Sequence, residues 1–243
     1  IAGFSINSQL NGRRNIFRDR QSSLLLRRWP CPISSCQLMQ HNPAPRLILA
    51  SGSAYRKELL ARLRLPFEVI SPDIDETPQP GEAPDLTALR LSQAKAEAVA
   101  QRVGEALVIG SDQVATLDGE QIGKPGDHAK ALAQLQKMRG REVIFHTALC
   151  VVDSRPGSPE PMQTDNVQTR VRFRDLPDAE LDAYLRTEQP YDCAGSAKNE
   201  GLGIVLIEQI RSDDPTALTG LPLIALSRML RAAGMLLLPG ARE

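Results

Sequence analysis

A chain of 243 residues, 42% hydrophobic and 24% charged, has material for a sizeable core and the profile of a globular protein. The formal net charge of zero hides an asymmetry: in residues 1–45, Arg13, Arg14, Arg18, Arg20, Arg27 and Arg28 stand against Asp19, which leaves +5 there and −5 over the remainder. An acidic body argues against a broad nucleic-acid surface, and the lack of a run of about 18 apolar residues argues against a membrane-spanning helix.

The first 45 residues form a leader that starts with Ile1, is rich in Arg and Ser, and has no sustained periodicity. Its composition resembles a mitochondrial transit peptide, while Leu24-Leu25-Leu26 is too short for a secretory apolar region. Met39 precedes the first strand by seven residues, and the leader reads as an over-long gene start or a tail that does not fold. The expected domain therefore covers residues 46–243. Four cysteines have no zinc spacing: Cys31 and Cys36 fall in the leader, and Cys150 and Cys193 sit in apolar, strand-like surroundings. So sparse a set suggests a reducing compartment, here the cytoplasm.

Arg46-Leu47-Ile48-Leu49-Ala50 reads as a strand, followed by Ser51-Gly52-Ser53 and a helix to about Arg64 with Ser53 as N-cap. Such a junction attracts phosphate, because free amides and the positive helix end point outward. Arg56 and Lys57 in its first turn oppose the macrodipole unless an anion balances them, although taken alone they read as solvated surface charge. Phe67–Ile70 is a second strand leading to Asp73, Asp75 and Glu76 on a proline-bounded loop, a solvated turn or a source of Mg²⁺ ligands. A helix over about Asp85–Val103 carries Lys95 at its middle.

Leu107-Val108-Ile109-Gly110-Ser111-Asp112-Gln113-Val114-Ala115 is the stretch that organises the rest. A buried strand breaks at Gly110, shows three polar side chains and resumes, with Gly110 expected to bulge the backbone and turn Asp112 toward a cleft. An unpaired buried carboxylate costs several kcal/mol, so Asp112 needs a cation or a hydrogen-bond network. Asp118-Gly119 signals a hairpin that delivers Gly123-Lys124-Pro125, then a helix over Asp127–Met138. Strands follow over Glu142–Val152 and Gln163–Phe173 as an antiparallel pair, then a helix from Leu176 to Thr187. A glycine-rich loop from Cys193 to Gly203 leads to a strand over Ile204–Ile207, and a last helix over Pro222–Ala233 turns Leu223, Leu226 and Leu230 inward. Strands alternating with helices, several of them antiparallel, predict an α/β fold with a mixed, twisted central sheet flanked by helices.

Taken together, the cations Arg56, Lys57, Lys95 and Lys124 and the acids Asp75, Glu76 and Asp112 suit a polyphosphate with a divalent metal. Nucleophilic schemes fare badly, since His41, His128 and His146 are the sole histidines and His41 lies in the leader.

Leu47-Ile48-Leu49-Ala50-Ser51-Gly52-Ser53 with Arg56 and Lys57, then Asp75-Glu76, Lys95, Gly110-Ser111-Asp112-Gln113 and Gly123-Lys124-Pro125, resemble in order the motifs of the Maf family of nucleotide pyrophosphatases. The resemblance covers about Arg46 to Gly234. It implies a Maf/Ham1-like fold with a central cleft and hydrolysis of nucleoside triphosphates to monophosphate and pyrophosphate with Mg²⁺ or Mn²⁺. Asp112 would be the general base, Glu76 with Asp75 and Asp112 the metal ligands, and Ser51, Arg56, Lys57, Lys95 and Lys124 the phosphate contacts. Two departures stand out. The family often has Pro-Arg-Arg where this chain has Ala54-Tyr55-Arg56-Lys57, and lysine loses bidentate geometry. Members that cleave dTTP and UTP usually have Thr after the catalytic Asp and Gln in the late loop, whereas Gln113 and Glu200 stand here.

With Tyr55, these residues resemble the subgroup acting on 7-methyl-GTP. A carboxylate such as Glu200 accepts guanine's N–H donors, and the cationic ring favours an aromatic face. A dTTP/UTP pyrophosphatase is the alternative within enzymes, and a non-catalytic nucleotide-binding regulator of cell division the alternative outside them. The expected partner is a small nucleotide, with neither nucleic acid nor membrane, and the family's habit of dimerising makes a homodimer possible.

Overall fold

The computed structural model describes residues 45–238, so the readings placed on the leader, Cys31, Cys36 and Met39 among them, lie outside the described residues. Its centre is a seven-stranded mixed sheet. The strands are β1 (Leu47–Ala50), β2 (Glu68–Val69), β3 (Leu107–Leu117), β4 (Glu120–Ile122), β5 (Glu142–Asp153), β6 (Met162–Phe173) and β7 (Ile207–Ser212). The order across the sheet is β2-β1-β3-β5-β6-β7, with β4 paired to β3. β1 runs parallel to β2 and β3, and the remaining pairs are antiparallel. The helices among the described residues are α1 (Ala54–Ala61), α2 (Pro84–Val103), α3 (His128–Met138), α4 (Asp178–Glu188) and α5 (Leu223–Ala232).

All four residues of β1 are buried, as a continuous apolar run covered on both faces requires. On one face Leu47, Leu49, Leu107 and Ile109 pack against Leu59 and Leu60 of α1 and Leu223, Leu226 and Leu230 of α5. On the other, Ile48, Val108 and Cys150 meet Ala96, Val99 and Ala100 of α2. Small residues on α2 let that helix sit close to the sheet. A third cluster lies at the far end, where Ala115, Phe145, Val171 and Phe173 are covered by Leu135 of α3 and Leu185 of α4. Each fully buried leucine in these layers contributes about 2 kcal/mol.

Local signals behave as their chemistry demands. Ser53 Oγ accepts from Arg56 N (3.4 Å) and Asp127 Oδ1 from Lys130 N (2.8 Å), capping α1 and α3. Asp118 and Gly119 both take positive φ (52° and 83°), the conformation a two-residue hairpin turn needs.

Three expectations are corrected. β3 neither breaks nor bulges at Gly110: its pairing with β5 runs unbroken from Leu107↔Asp153 to Thr116↔Ile144. Glycine is required there because α2 crosses over it, so that a Cβ would overlap the Ser92 carbonyl and stand 2.8 Å from Ala96 N. The last strand begins at Ile207, not Ile204, because Leu202–Leu206 coil into a 3₁₀ turn. Gly203 N bonds Lys198 O (3.0 Å), and a side chain at Gly203 would run into the Lys198 backbone. Cys150 is buried in β5, but Cys193 lies in no strand and lines the cleft described next.

Candidate active site

The cleft arises from a change of partners along one edge of β3. β1 pairs with β3 as far as Ala50↔Gly110, and β4 takes over from Ala115↔Ile122. Between them, Ser111, Asp112, Gln113 and Val114 have no strand on that side, and the chain leaves β1 and β4 around the gap. Ser51, Gly52 and Ser53 leave β1 on one flank, and Gly123 and Lys124 leave β4 on the other; both sets line a cleft of about 840 Å³. A break in strand order at a sheet is a natural place for a ligand, because backbone groups and loop ends converge there.

Lys95, Glu76 and Asp112 form the charged centre. Lys95 is 5% exposed and Asp112 8% exposed, and the lysine Nζ donates to Asp112 Oδ1 at 2.6 Å and approaches Glu76 Oε1 at 2.8 Å. Lys95 reaches the cleft because α2 lies against β3 over Gly110, one position along the helix from Ala96. Desolvation opposes charge on Glu76, but the hydrogen bond from Lys95, with Lys124 and Arg56 nearby, outweighs it and holds the carboxyl below its usual range. Arg56 donates through Nε to Gly220 O (2.8 Å) and through Nη1 to Ser51 Oγ (3.4 Å). Burial lowers the Arg56 pKa, against the pull of Asp112 and Glu76. Ser51 Oγ also accepts from Ser53 N (3.1 Å), which shapes the turn between β1 and α1.

Tyr55, Gln113 and Glu200 line the same cleft. Gln113 Nε2 shares its two hydrogens among Thr147 Oγ1 (2.9 Å), Leu218 O (3.0 Å) and Ala217 O (3.1 Å). With its amide nitrogen committed, Gln113 keeps Oε1 as its free acceptor. Glu200 stands on an exposed turn, and desolvation by the cleft wall raises its carboxyl above the ordinary range despite Lys198 nearby.

Two residues named from the sequence are not brought into this group. Lys57 is exposed and does not line the cleft, because adjacent residues on a helix diverge by about 100° and Arg56 takes the inward direction. Asp75 is likewise exposed and outside the lining set, its Oδ1 accepting from Thr77 N (2.9 Å), whereas Glu76, also exposed, lines the cleft and reaches Lys95. Ser51, Tyr55, Arg56, Glu76, Lys95, Asp112, Gln113, Lys124 and Glu200 all line the cleft.

Sequence reasoning passed over Lys198. Its Nζ lies 5.8 Å from the centroid of the Tyr55 ring and 3.0 Å from Glu188 Oε1. Lys198 itself is outside the lining set, whereas Asn199 and Thr219, bonded side chain to side chain at 3.4 Å, line the cleft. No pattern in the late loop distinguishes these from solvated turn residues. What could have been read is the pair Gly201 and Gly203, which folds the loop back on itself.

For a divalent cation the donor set fits. Two carboxylates converge on one cationic group, Lys95 Nζ, and Mg²⁺ is commonly held by one or two carboxylates together with substrate phosphates. Among the described residues no group of three or more His, Cys, Asp and Glu could hold a metal by itself.

Fold and cleft define an α/β protein that can hold a polyanion against lysine and arginine with a buried acid beside it. The Maf family, described as Maf-like protein, matches residues 46–233, and the chain belongs to that family. It is 68% identical over 201 residues to a protein of Burkholderia thailandensis named 7-methyl-GTP pyrophosphatase, covering 81% of this chain and 92% of that one. A protein of the same name from Paraburkholderia xenovorans is 70% identical over 200 residues, covering 81% and 96%. A Ham1 protein from Coxiella burnetii is similar with TM-score 0.40 and 19% identity over 55% of this chain and 75% of that one.

Proposed function

We propose that the chain hydrolyses 7-methyl-GTP to its monophosphate and pyrophosphate. The observation that carries this is that Tyr55, Gln113 and Glu200 line the same cleft as Arg56, Lys95 and Asp112. The relatives named above bear that activity in their names. Glu200 and the Gln113 Oε1 atom offer acceptors to the N1–H and N2–H₂ donors of guanine, and the Tyr55 ring offers its face to the positively charged methylated base.

Asp112 takes a proton from water as the oxygen attacks phosphorus, and the bridge between the α- and β-phosphates breaks to release pyrophosphate. Lys95 holds the Asp112 carboxylate at a fixed angle through its 2.6 Å bond. Arg56, Lys95 and Lys124 oppose the charge that builds on the phosphate oxygens. Glu76 and Asp112 would hold Mg²⁺ or Mn²⁺, which when bound neutralises phosphate charge and favours departure of pyrophosphate. Lys57 and Asp75, with no place in the cleft, take no part.

The test is a substrate panel of 7-methyl-GTP, GTP, UTP and dTTP, with and without Mg²⁺ and with chelator. The expected result is Mg²⁺-dependent pyrophosphate release fastest with 7-methyl-GTP; preference for UTP and dTTP would overturn the reading, and nucleotide binding without turnover would make the chain a regulator.

A pH dependence follows from Glu200. Its charged form accepts the base and attracts the cationic ring, and its pKa is raised by desolvation. Preference for 7-methyl-GTP over GTP is expected to decline on acidification, starting at a higher pH than an ordinary glutamate would set. Glu200→Gln should remove this dependence and lower kcat/KM for 7-methyl-GTP about tenfold, the loss of one charge-assisted contact. Profiles of kcat/KM against pH for both nucleotides check it.

A further inference from the structure

We propose that Asp214 is a positioning residue: by clasping the loop of residues 215–222 it sets Gln113 and Arg56, which serve opposite ends of the substrate. This rests on the roles given above to Gln113 and Arg56. Asp214 is 2% exposed. Its Oδ2 accepts from Ile224 N (2.6 Å) and Ala225 N (3.4 Å) at the start of α5, and its Oδ1 accepts from Thr216 N (3.0 Å) and Thr216 Oγ1 (2.7 Å). Thr216 Oγ1 also lies 2.9 Å from Leu221 O and accepts from Leu223 N (2.8 Å). The pair thus ties the beginning of the loop to its end.

Between those ties, the loop's carbonyls hold the site. Ala217 O and Leu218 O take the Gln113 amide, and Ala217 O also takes the Thr147 hydroxyl (3.0 Å). Gly220 O takes Arg56 Nε (2.8 Å) and the Ser111 hydroxyl (2.9 Å). A carboxylate suits the clasp because every group facing it is a donor, whereas an amide would turn an N–H₂ toward one of them. Carbonyls that shift by even a fraction of an ångström would release Gln113 to rotate and let Arg56 drift, and catalysis is sensitive to displacements of about 1 Å.

The matching control lies at the other end of α5. Asp153, 4% exposed, pairs with Arg155 (2.6 and 2.7 Å), whose Nη2 donates to Ala233 O (2.6 Å), and none of these residues lines the cleft. Asp214→Asn and Asp153→Asn, each in the full chain, are compared for thermal stability and for kcat and KM with 7-methyl-GTP and UTP. Both variants should melt at lower temperature. Only Asp214→Asn should change the ratio of kcat/KM between the two nucleotides, by about tenfold, as one lost orienting contact allows. Thr216→Val should follow it and Thr216→Ser should restore the ratio; this pair carries the test if Asp214→Asn does not fold. An unchanged ratio in the Asp214 and Thr216 variants, or an equal change in Asp153→Asn, overturns the proposal. If the native chain does not hydrolyse 7-methyl-GTP, the reading of its substrate falls, and the same comparison on the two best substrates of the panel still decides the role of Asp214.

Discussion

Asp112→Asn is expected to lower pyrophosphate release by about 10³-fold, within the range that a positioned general base contributes, while the chain still folds. The substitution keeps the side chain's size and leaves Oδ1 able to accept from Lys95, but it removes the group that takes the water's proton. It also removes one of the two carboxylates that face the buried Lys95 ammonium, leaving Glu76 as that ammonium's carboxylate partner at 2.8 Å. Some stability is therefore lost as well, because a buried charge loses part of its compensation. Urea unfolding of the purified variant, run beside the rate measurement, separates the two effects. A folded variant with the full rate would sink the assignment of Asp112.

Gly110→Ala is expected to destabilise the fold by about 3 kcal/mol and to abolish turnover together with it, although it adds one methyl group. The methyl has nowhere to go. It would overlap Ser92 O and press on Ala96 N, backbone atoms of α2 that can yield only if the helix lifts from the sheet. Lifting α2 pulls Ala96 and Val99 off Val108 and Cys150. It also withdraws Lys95, the residue before Ala96, from Asp112. Gly123→Ala is the informative companion, since a side chain there meets open space and should leave stability within about 0.5 kcal/mol. Urea midpoints for the two variants check the contrast, and a Gly110→Ala chain as stable as the parent would contradict the close approach of α2.

Much of this site was legible in the chain because its signals are local. The caps at Ser53 and Asp127, the Asp118-Gly119 turn and the apolar run of β1 each involve residues within a few positions of one another, and short-range chemistry decides them. The family resemblance located the motifs, and nine of the residues named from it line one cleft. What it misjudged were directions. Lys57 and Arg56 carry the same charge, as do Asp75 and Glu76, yet one of each pair lines the cleft and the other does not. Gly110 illustrates the same limit: the need for glycine could be read, but its cause, a helix passing overhead rather than a bulge, could not.

Local chemistry along the chain set the alternation of strands and helices, and the order of its motifs marked the family. The alternation follows from periodicity and turn chemistry, which act over a few residues at a time. Which of the charges meet, and how the Gln113 amide is turned, came from packing. Lys95 and Asp112 are 17 positions apart, and Gln113 and Leu218 are 105 apart. Such contacts depend on the gap that β1 and β4 leave beside β3 and on α2 lying flat against Gly110. Side chains distant along the chain are brought within hydrogen-bond range only when sheet and helices pack, and that packing is a property of the whole fold.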